Sequence, residues 1–288
     1  MNIKLFSIRF LLVLSIGIAF AATSVVDYSN ISESRNIVYN LFKSIDNAKT
    51  LTYTMVYSER LNTGKIHVDS NAVKYQKSPL NVYIKTSDKT EILWPADDNA
   101  GLAWVHTGSF PFLTIKLDPD GFFMRKDQHH GVQNSGYAYF ESILKQAAAK
   151  SGRDFDSNFI YLGNITYNGE KCYKLEVIEP SFKYIQYIVK DGETVLSIAK
   201  KFMLSEFKIM LHNNLNSYTD VHAGQAIMIP NYYSNEMTLF IDKSTMLPLL
   251  IKVYDENGLF EQYIFRNIKA NVAFSDDEFS RKNKDYGF

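Results

Sequence analysis

Residues 187–202 read YIVKDGETVLSIAKKF, residues 205–216 read SEFKIMLHNNLN, and residues 223–230 read AGQAIMIP. Tyr187, Ile188 and Val189 are aromatic or β-branched, as a short strand requires. Asp191-Gly192 is a turn signal. Thr194 can cap a helix, with Asp191 and Glu193 near its positive end. Ile198, Ala199 and Phe202 recur at helical spacing, and Lys200 and Lys201 point away. Ser205 can cap a second helix whose apolar stripe is Phe207, Met210 and Leu211. Asn213-Asn214 ends that helix. Ala223-Gly224-Gln225 turns the chain into Ile227-Met228-Ile229, and Pro230 stops the strand. Strand, two helices and strand are predicted over residues 186–231. Any other small α+β insert is the alternative.

This stretch resembles a LysM module, the glycan-binding unit of cell-wall proteins. The resemblance implies a ligand with an N-acetylglucosamine backbone, in peptidoglycan or chitin. It also implies a shallow groove between two loops. Carried over by motif, the glycan-binding residues are Asp191, Gly192, Glu193, Thr194 and Val195, facing Asn214, Leu215, Asn216 and Ser217. Backbone groups would read the N-acetyl amide, and an apolar side chain would support its methyl. Val195 stands where the family usually carries Leu. A single shallow site binds weakly and gains strength through multivalency.

Working outward, the N-terminus reads MNIKLFSIRFLLVLSIGIAFAAT. Lys4 and Arg9 precede an uncharged apolar run over 10–20, the pattern of a signal peptide. The run is short for a bilayer span. Ala19-Phe20-Ala21 fits the small-x-small rule, so cleavage is expected after Ala21. The predicted organisation is a signal peptide over 1–21, a β domain over 22–185 and 232–288, and the inserted module over 186–231. The mature protein is expected to be periplasmic or secreted.

Lys plus Arg number 31 and Asp plus Glu number 31, giving a formal net charge of zero. No basic face for nucleic acid is implied. The one cysteine, Cys172, cannot form an internal disulfide, and its strand-like surroundings predict a buried structural thiol.

The host is predicted to be mainly β. Helices are expected over 36–49 (Ile37, Leu41, Phe42, Ile45) and 137–150 (Tyr137, Phe140, Ile143, Leu144). Strands are expected over 51–61, 65–76, 80–86, 90–94, 102–107, 113–117, 159–167, 171–179, 236–242, 247–254 and 259–268. Asn62-Thr63-Gly64, Asn168-Gly169 and Glu256-Asn257-Gly258 mark hairpin turns. The pattern predicts an antiparallel barrel or a strongly curved, half-open sheet. Strands 171–179 and 236–242 can pair directly if the module replaces their turn, because its two ends lie close together.

Residues 240–271, FIDKSTMLPLLIKVYDENGLFEQYIFRNIKAN, resemble the end of the LolA-type lipoprotein-carrier superfamily. The matching pieces are Asp242, Thr245, Leu247-Pro248-Leu249, Asp255, Gly258, Tyr263, Phe265, Ile268 and Asn271. Residues 117–126, LDPDGFFMRK, look like an uncharacterised bacterial branch of that superfamily. An unrelated β-rich fold is the alternative. The resemblance implies an apolar hollow for a lipid or lipoprotein. Strand alternation suggests Tyr173, Leu175 and Val177, with Leu249, Ile251 and Val253, as its lining, and Trp94 and Trp104 at its mouth. These residues can equally be plain core.

Catalytic signals are weak. G-x-S-x-G and H-E-x-x-H are absent. His129-His130 lies in a polar run, and the acidic run 276–278 reads as a solvated tail. No enzyme, cofactor or metal is expected. The reading is an exported envelope protein that binds peptidoglycan-type glycan and a lipid or lipoprotein. A wall hydrolase and a structural wall protein with a solid barrel are the alternatives.

Overall fold

The computed structural model describes residues 32–95 and 98–288. The expected signal peptide and its cleavage site at Ala21 lie outside these residues.

The chain begins with α1 (Glu33–Asn47), β1 (Thr50–Arg60), β2 (Ile66–Gln76), β3 (Asn81–Thr86), β4 (Glu91–Pro95), β5 (Ala103–His106) and β6 (Thr114–Leu117). It continues through α2 (Phe122–Arg125), α3 (Ala138–Ser151), α4 (Phe155–Asn158), β7 (Phe159–Tyr167) and β8 (Glu170–Ile178). After the module come β11 (Glu236–Asp242), β12 (Pro248–Asp255) and β13 (Gly258–Ala270). Ser32 starts α1 by accepting a hydrogen bond from the Arg35 N–H, and Ile37, Val38, Leu41 and Ile45 make its buried stripe.

One eleven-stranded sheet runs in the order β6-β5-β4-β3-β2-β1-β13-β12-β11-β8-β7, with antiparallel neighbours throughout. β6 and β7 are its two edges, so the sheet stays open rather than closing into a barrel. β8 and β11 pair directly, with Ile178 opposite Glu236 and Cys172 opposite Asp242. The expected hairpin therefore exists, and the module stands where its turn would be. Cys172 is fully buried.

Strand alternation decides what each face does. Leu175, Val177, Leu239, Ile241 and Val253 share one core with Leu41 of α1 and Leu144 of α3. Leu41, Leu144, Leu175 and Leu239 are each 0 % exposed, so trimming any one to Ala costs about 2–5 kcal/mol. The two long helices thus pack into the same core as β8, β11 and β12.

The opposite face of β2 to β5 is covered by the C-terminal segment. Tyr286 stacks on Tyr83 at 3.9 Å between ring centroids, and the Gly287 N–H donates to Glu91 at 2.8 Å. Glu278 pairs with Lys74, which corrects the expectation of a solvated acidic run at that residue, while Asp276 and Asp277 are exposed as expected. Tyr286 gives the tail an aromatic ring that holds it to β3, and Phe279 packs edge-on against Phe274 within the tail.

Candidate functional site

The module is built from β9 (Tyr184–Ile188), α5 (Val195–Phe202), α6 (Glu206–His212) and β10 (Ala226–Pro230). β9 and β10 pair antiparallel, with Ile188 opposite Ala226 and Tyr184 opposite Pro230. Thr194 caps α5 reciprocally with Ser197: each side-chain oxygen accepts the other residue's backbone N–H. Ser205 caps α6 by accepting from the Lys208 N–H at 3.3 Å. Val189, Val195, Ile198, Ala199, Leu204, Ile209, Ile227 and Ile229 form a separate small core.

The two predicted glycan loops lie side by side. The Val195 N–H donates to the Tyr218 carbonyl at 2.9 Å, which pins the first loop to the end of the second. Asp191, Gly192, Asn214 and Asn216 are exposed, while Leu215 and Ser217 are half-buried. Val195 itself is fully buried in the module's small core, so its side chain is closed off from solvent. Thr194 is occupied as a cap. Glu193 accepts hydrogen bonds from the Tyr187 hydroxyl at 2.8 and 2.9 Å, the Lys190 N–H at 3.0 Å and Lys201 Nζ at 2.9 Å. The Lys190 N–H, then Lys201, hold the Glu193 carboxyl down at about 2. It therefore acts as a brace inside the first loop. Asp220 braces the second, accepting from the N–H groups of Asn216 at 2.9 Å and Ser217 at 2.8 Å. Sequence reading missed Asp220 and Tyr218. An Asp following Asn and Ser in a loop is the signal that could have shown the first.

The module is docked on the host. Arg125 of α2 pairs with Glu206 of α6, with side chains 2 % and 7 % exposed, and its guanidinium lies 5.6 Å from the centre of the Tyr218 ring. Lys208 is buried; its Nζ donates to the Tyr233 carbonyl at 2.8 Å and lies 4.4 Å from the Phe260 ring centre. Burial pushes its pKa down to about 8. The His129 ring sits between Phe207 of α6 at 4.3 Å and Phe260 of β13 at 4.2 Å.

Beside this junction is a cavity of about 440 Å³. Its walls are inward residues of β1 to β6, β12 and β13 on one side and residues between Phe123 and Ile143 on the other. Met55, Ile84, Ile92, Val105, Met124, Phe140 and Phe265 make much of it apolar, and its volume lies within the usual range for small-molecule sites. Glu59, Glu261, His130, Tyr233 and Tyr263 are also on its wall.

These polar groups form one network. The Tyr263 hydroxyl donates to Glu59 at 2.7 Å, and the Tyr233 hydroxyl donates to Glu261 at 2.7 Å. The His129 N–H donates to Glu59 at 3.0 Å, and its Nδ1 lies 2.9 Å from Glu261. Burial opposes a charged His130, yet the facing Glu261 and Glu59 offset it, and its pKa rises above the ordinary value. Burial likewise opposes an ionised Glu261, but His130 and the hydrogen bond from His129 hold its carboxyl well below the usual range. Ligand atoms of Glu59, His129 and Glu261 lie within 4.8 Å of one another and could hold a metal ion. Protein hydrogen bonds already engage each of these three side chains. His129 and His130 lie in the loop between α2 and α3 as expected, and His129 is 1 % exposed there.

Of the eight residues suggested for an apolar hollow, Ile251 lines this cavity. Leu175, Val177 and Val253 are core beneath α1 and α3, and Tyr173 packs at the edge of the same core. Leu249 is the extra residue of a β-bulge, where Phe240 pairs with Leu250 and Ile241 with Pro248, and it does not line the cavity. Trp94 packs against the host core and donates from Nε1 to the Gly101 carbonyl at 3.0 Å. Trp104 alternates with the lining residue Val105, so it faces the other side, where Arg281 lies 4.0 Å from its ring centre. The reason for these shifts is physical: the cavity is walled by β1 to β6 with Ile251 of β12 and Glu261, Tyr263 and Phe265 of β13, while the β8 residues belong to the packed core.

The family model described as protein of unknown function (DUF1571) matches residues 48–204 and 213–288. The LysM domain model matches residues 187–230. No curated protein matches the chain. Similar solved structures include the Pseudomonas aeruginosa MucA/MucB complex, at 14% identity and TM-score 0.38 over 86% of this chain and 60% of that one. The chain thus spans less than two thirds of that relative's length. A LolA superfamily protein from Nitrosomonas europaea matches at 9% identity and TM-score 0.31, over 87% of this chain and 99% of that one. LprF from Mycobacterium bovis matches at 12% identity and TM-score 0.41, over 85% and 96%.

Proposed function

The chain belongs to the DUF1571 family and carries a LysM domain within it, and from this we propose that it is an exported cell-envelope binding protein. The LysM domain grips the N-acetylglucosamine backbone of peptidoglycan, and the host cavity receives the apolar chain of a lipid or lipoprotein. The observation that carries the glycan half is the LysM match itself, supported by the loop pair that the Val195–Tyr218 hydrogen bond holds together. Asp191, Gly192, Asn214 and Asn216 are the exposed groups proposed to meet the sugar, with Glu193 and Asp220 keeping the loops in shape. The cavity of about 440 Å³ supports the lipid half, because its volume and apolar wall suit an acyl chain better than a filled core would.

The role proposed is binding without catalysis. The buried carboxylates Glu59 and Glu261 are engaged by tyrosine and histidine donors, which leaves them poorly placed as an acid and base for hydrolysis. One LysM unit holds its glycan weakly, so retention at the wall depends on a second attachment.

The test is mass spectrometry of the purified protein under native conditions, together with incubation on purified sacculi. Co-purified lipid and unchanged sacculi are expected. Release of muropeptides would replace this reading with a wall hydrolase, and a protein that never carries lipid would leave the glycan half alone.

A further inference from the structure

The segment from Phe110 to Phe123 exposes apolar side chains along one edge of the sheet. Phe110 is 87 % exposed, Phe112 65 %, Leu113 51 %, Ile115 41 %, Phe122 68 % and Phe123 79 %. Single exposed apolar residues are ordinary, but a run of six on one edge marks a contact surface. Four are phenylalanines carried on connections: Phe110 and Phe112 flank Pro111 before β6, and Phe122 and Phe123 open α2 after it.

We propose that this edge is a membrane-docking rim, with the four phenylalanines entering the acyl boundary of a bilayer beside the cavity mouth. It rests in part on the lipid reading of the cavity, but its own evidence is the rim. Three features favour a bilayer over a protein partner or a second copy. Phe123 is both exposed on the rim and part of the cavity wall, so one apolar side chain joins the outside to the inside. Phe110 and Phe112 stand on the β5–β6 connection and Phe122 and Phe123 on the short helix α2, all off the strand, where the rings can enter lipid while the backbone stays among the headgroups; pairing with another strand would instead use the alternating face of β6, which offers Ile115 and Leu117 alone. The charges around the rings nearly cancel: Lys116 and Lys126 stand against Asp118, Asp120 and Asp127, and Arg125 is taken by Glu206. Docking is therefore driven by apolar burial and not by attraction to anionic lipid.

The experiment is vesicle co-sedimentation of the chain from residue 22 to residue 288, using phosphatidylcholine vesicles with and without anionic lipid, at low and high salt. Binding to both vesicle types, little changed by salt, is expected. The exposed pair Phe122→Ser/Phe123→Ser should lower the partition coefficient at least ~10-fold, and Phe110→Ser/Phe112→Ser should lower it as well. Thermal unfolding and sacculus binding of Phe110→Ser/Phe112→Ser should match the parent, because these two rings are exposed, do not line the cavity and are distant in sequence from the LysM loops. Four results overturn the rim: no vesicle binding, binding confined to anionic vesicles and lost in salt, unchanged binding by both variants, or self-association that the substitutions abolish in place of vesicle binding. Lipid found in the purified protein alongside any of these would leave the cavity reading standing while the rim falls.

Discussion

Arg125 and Glu206 form a buried ion pair that joins the host to the inserted LysM domain: one side chain comes from α2 beside the cavity, the other from the first residue of α6. Two charges withdrawn from water in this way hold a junction only while both are present. The same arginine lies over Tyr218, whose carbonyl pins the glycan loops. The pair therefore ties the position of the groove to the wall of the cavity.

Arg125→Ala leaves Glu206 buried without its partner and should cost about 3–5 kcal/mol in chemical denaturation. The double variant Arg125→Met/Glu206→Met should recover most of that loss, because apolar groups of similar size fill the junction without stranding a charge. A loss below ~1 kcal/mol in the single variant would place the pair among exposed, weakly contributing bridges.

Lys208 supplies a pH signature. Its pKa falls from 10.5 to about 8 on folding because burial disfavours the ammonium. Below about pH 8 both states hold the proton, and the folded state carries the full cost of burying the charge. Between about 8 and 10.5 the unfolded chain binds a proton that the native one has lost, so this group's contribution to stability rises with pH, by up to about 3 kcal/mol. Lys208→Met should be more stable than the parent at neutral pH, and its stability should lack this rise. A parent and variant with parallel pH profiles would show that Lys208 does not titrate with folding.

Glu179 behaves as the mirror case at the joint leading into the module. It is 5 % exposed, neither carboxyl oxygen has a protein partner, and burial raises its pKa from 4.5 to about 7. Between those values the native state binds a proton that the unfolded chain has released, so its contribution to stability falls as pH rises and stays lost above about 7. Glu179→Gln should therefore raise the melting temperature at pH ~8 by more than at pH ~4, measured by differential scanning calorimetry. An equal shift at both pH values would contradict this assignment.

Local chemistry was legible in the sequence and long-range partnership was not. Thr194 and Ser205 are caps as read, because a cap is decided within three residues. The β8–β11 pairing followed from two strands and a module with adjacent ends. The network around His129 was not legible because its partners Glu59 and Glu261 lie 70 and 132 residues away, and nothing in the polar run around it reports them. Trp104 does not stand at the mouth: period-two alternation with Val105 turns it to the tail side. Leu175 and Val253 have the right alternation for a cavity wall, and only the packing of α1 and α3 decides that they are core instead.

The claim on which the account depends is that the paired loops of the LysM domain hold wall glycan, and co-sedimentation with purified sacculi tests it most directly. Asp191 and Asn216 are exposed at the groove, so Asp191→Trp and Asn216→Trp should each block it and lower the bound fraction several-fold while the fold is kept. Glu193→Ala should weaken binding too, by releasing the brace formed with Tyr187, Lys190 and Lys201. Retention of both tryptophan variants on sacculi at the level of the parent protein would contradict the account.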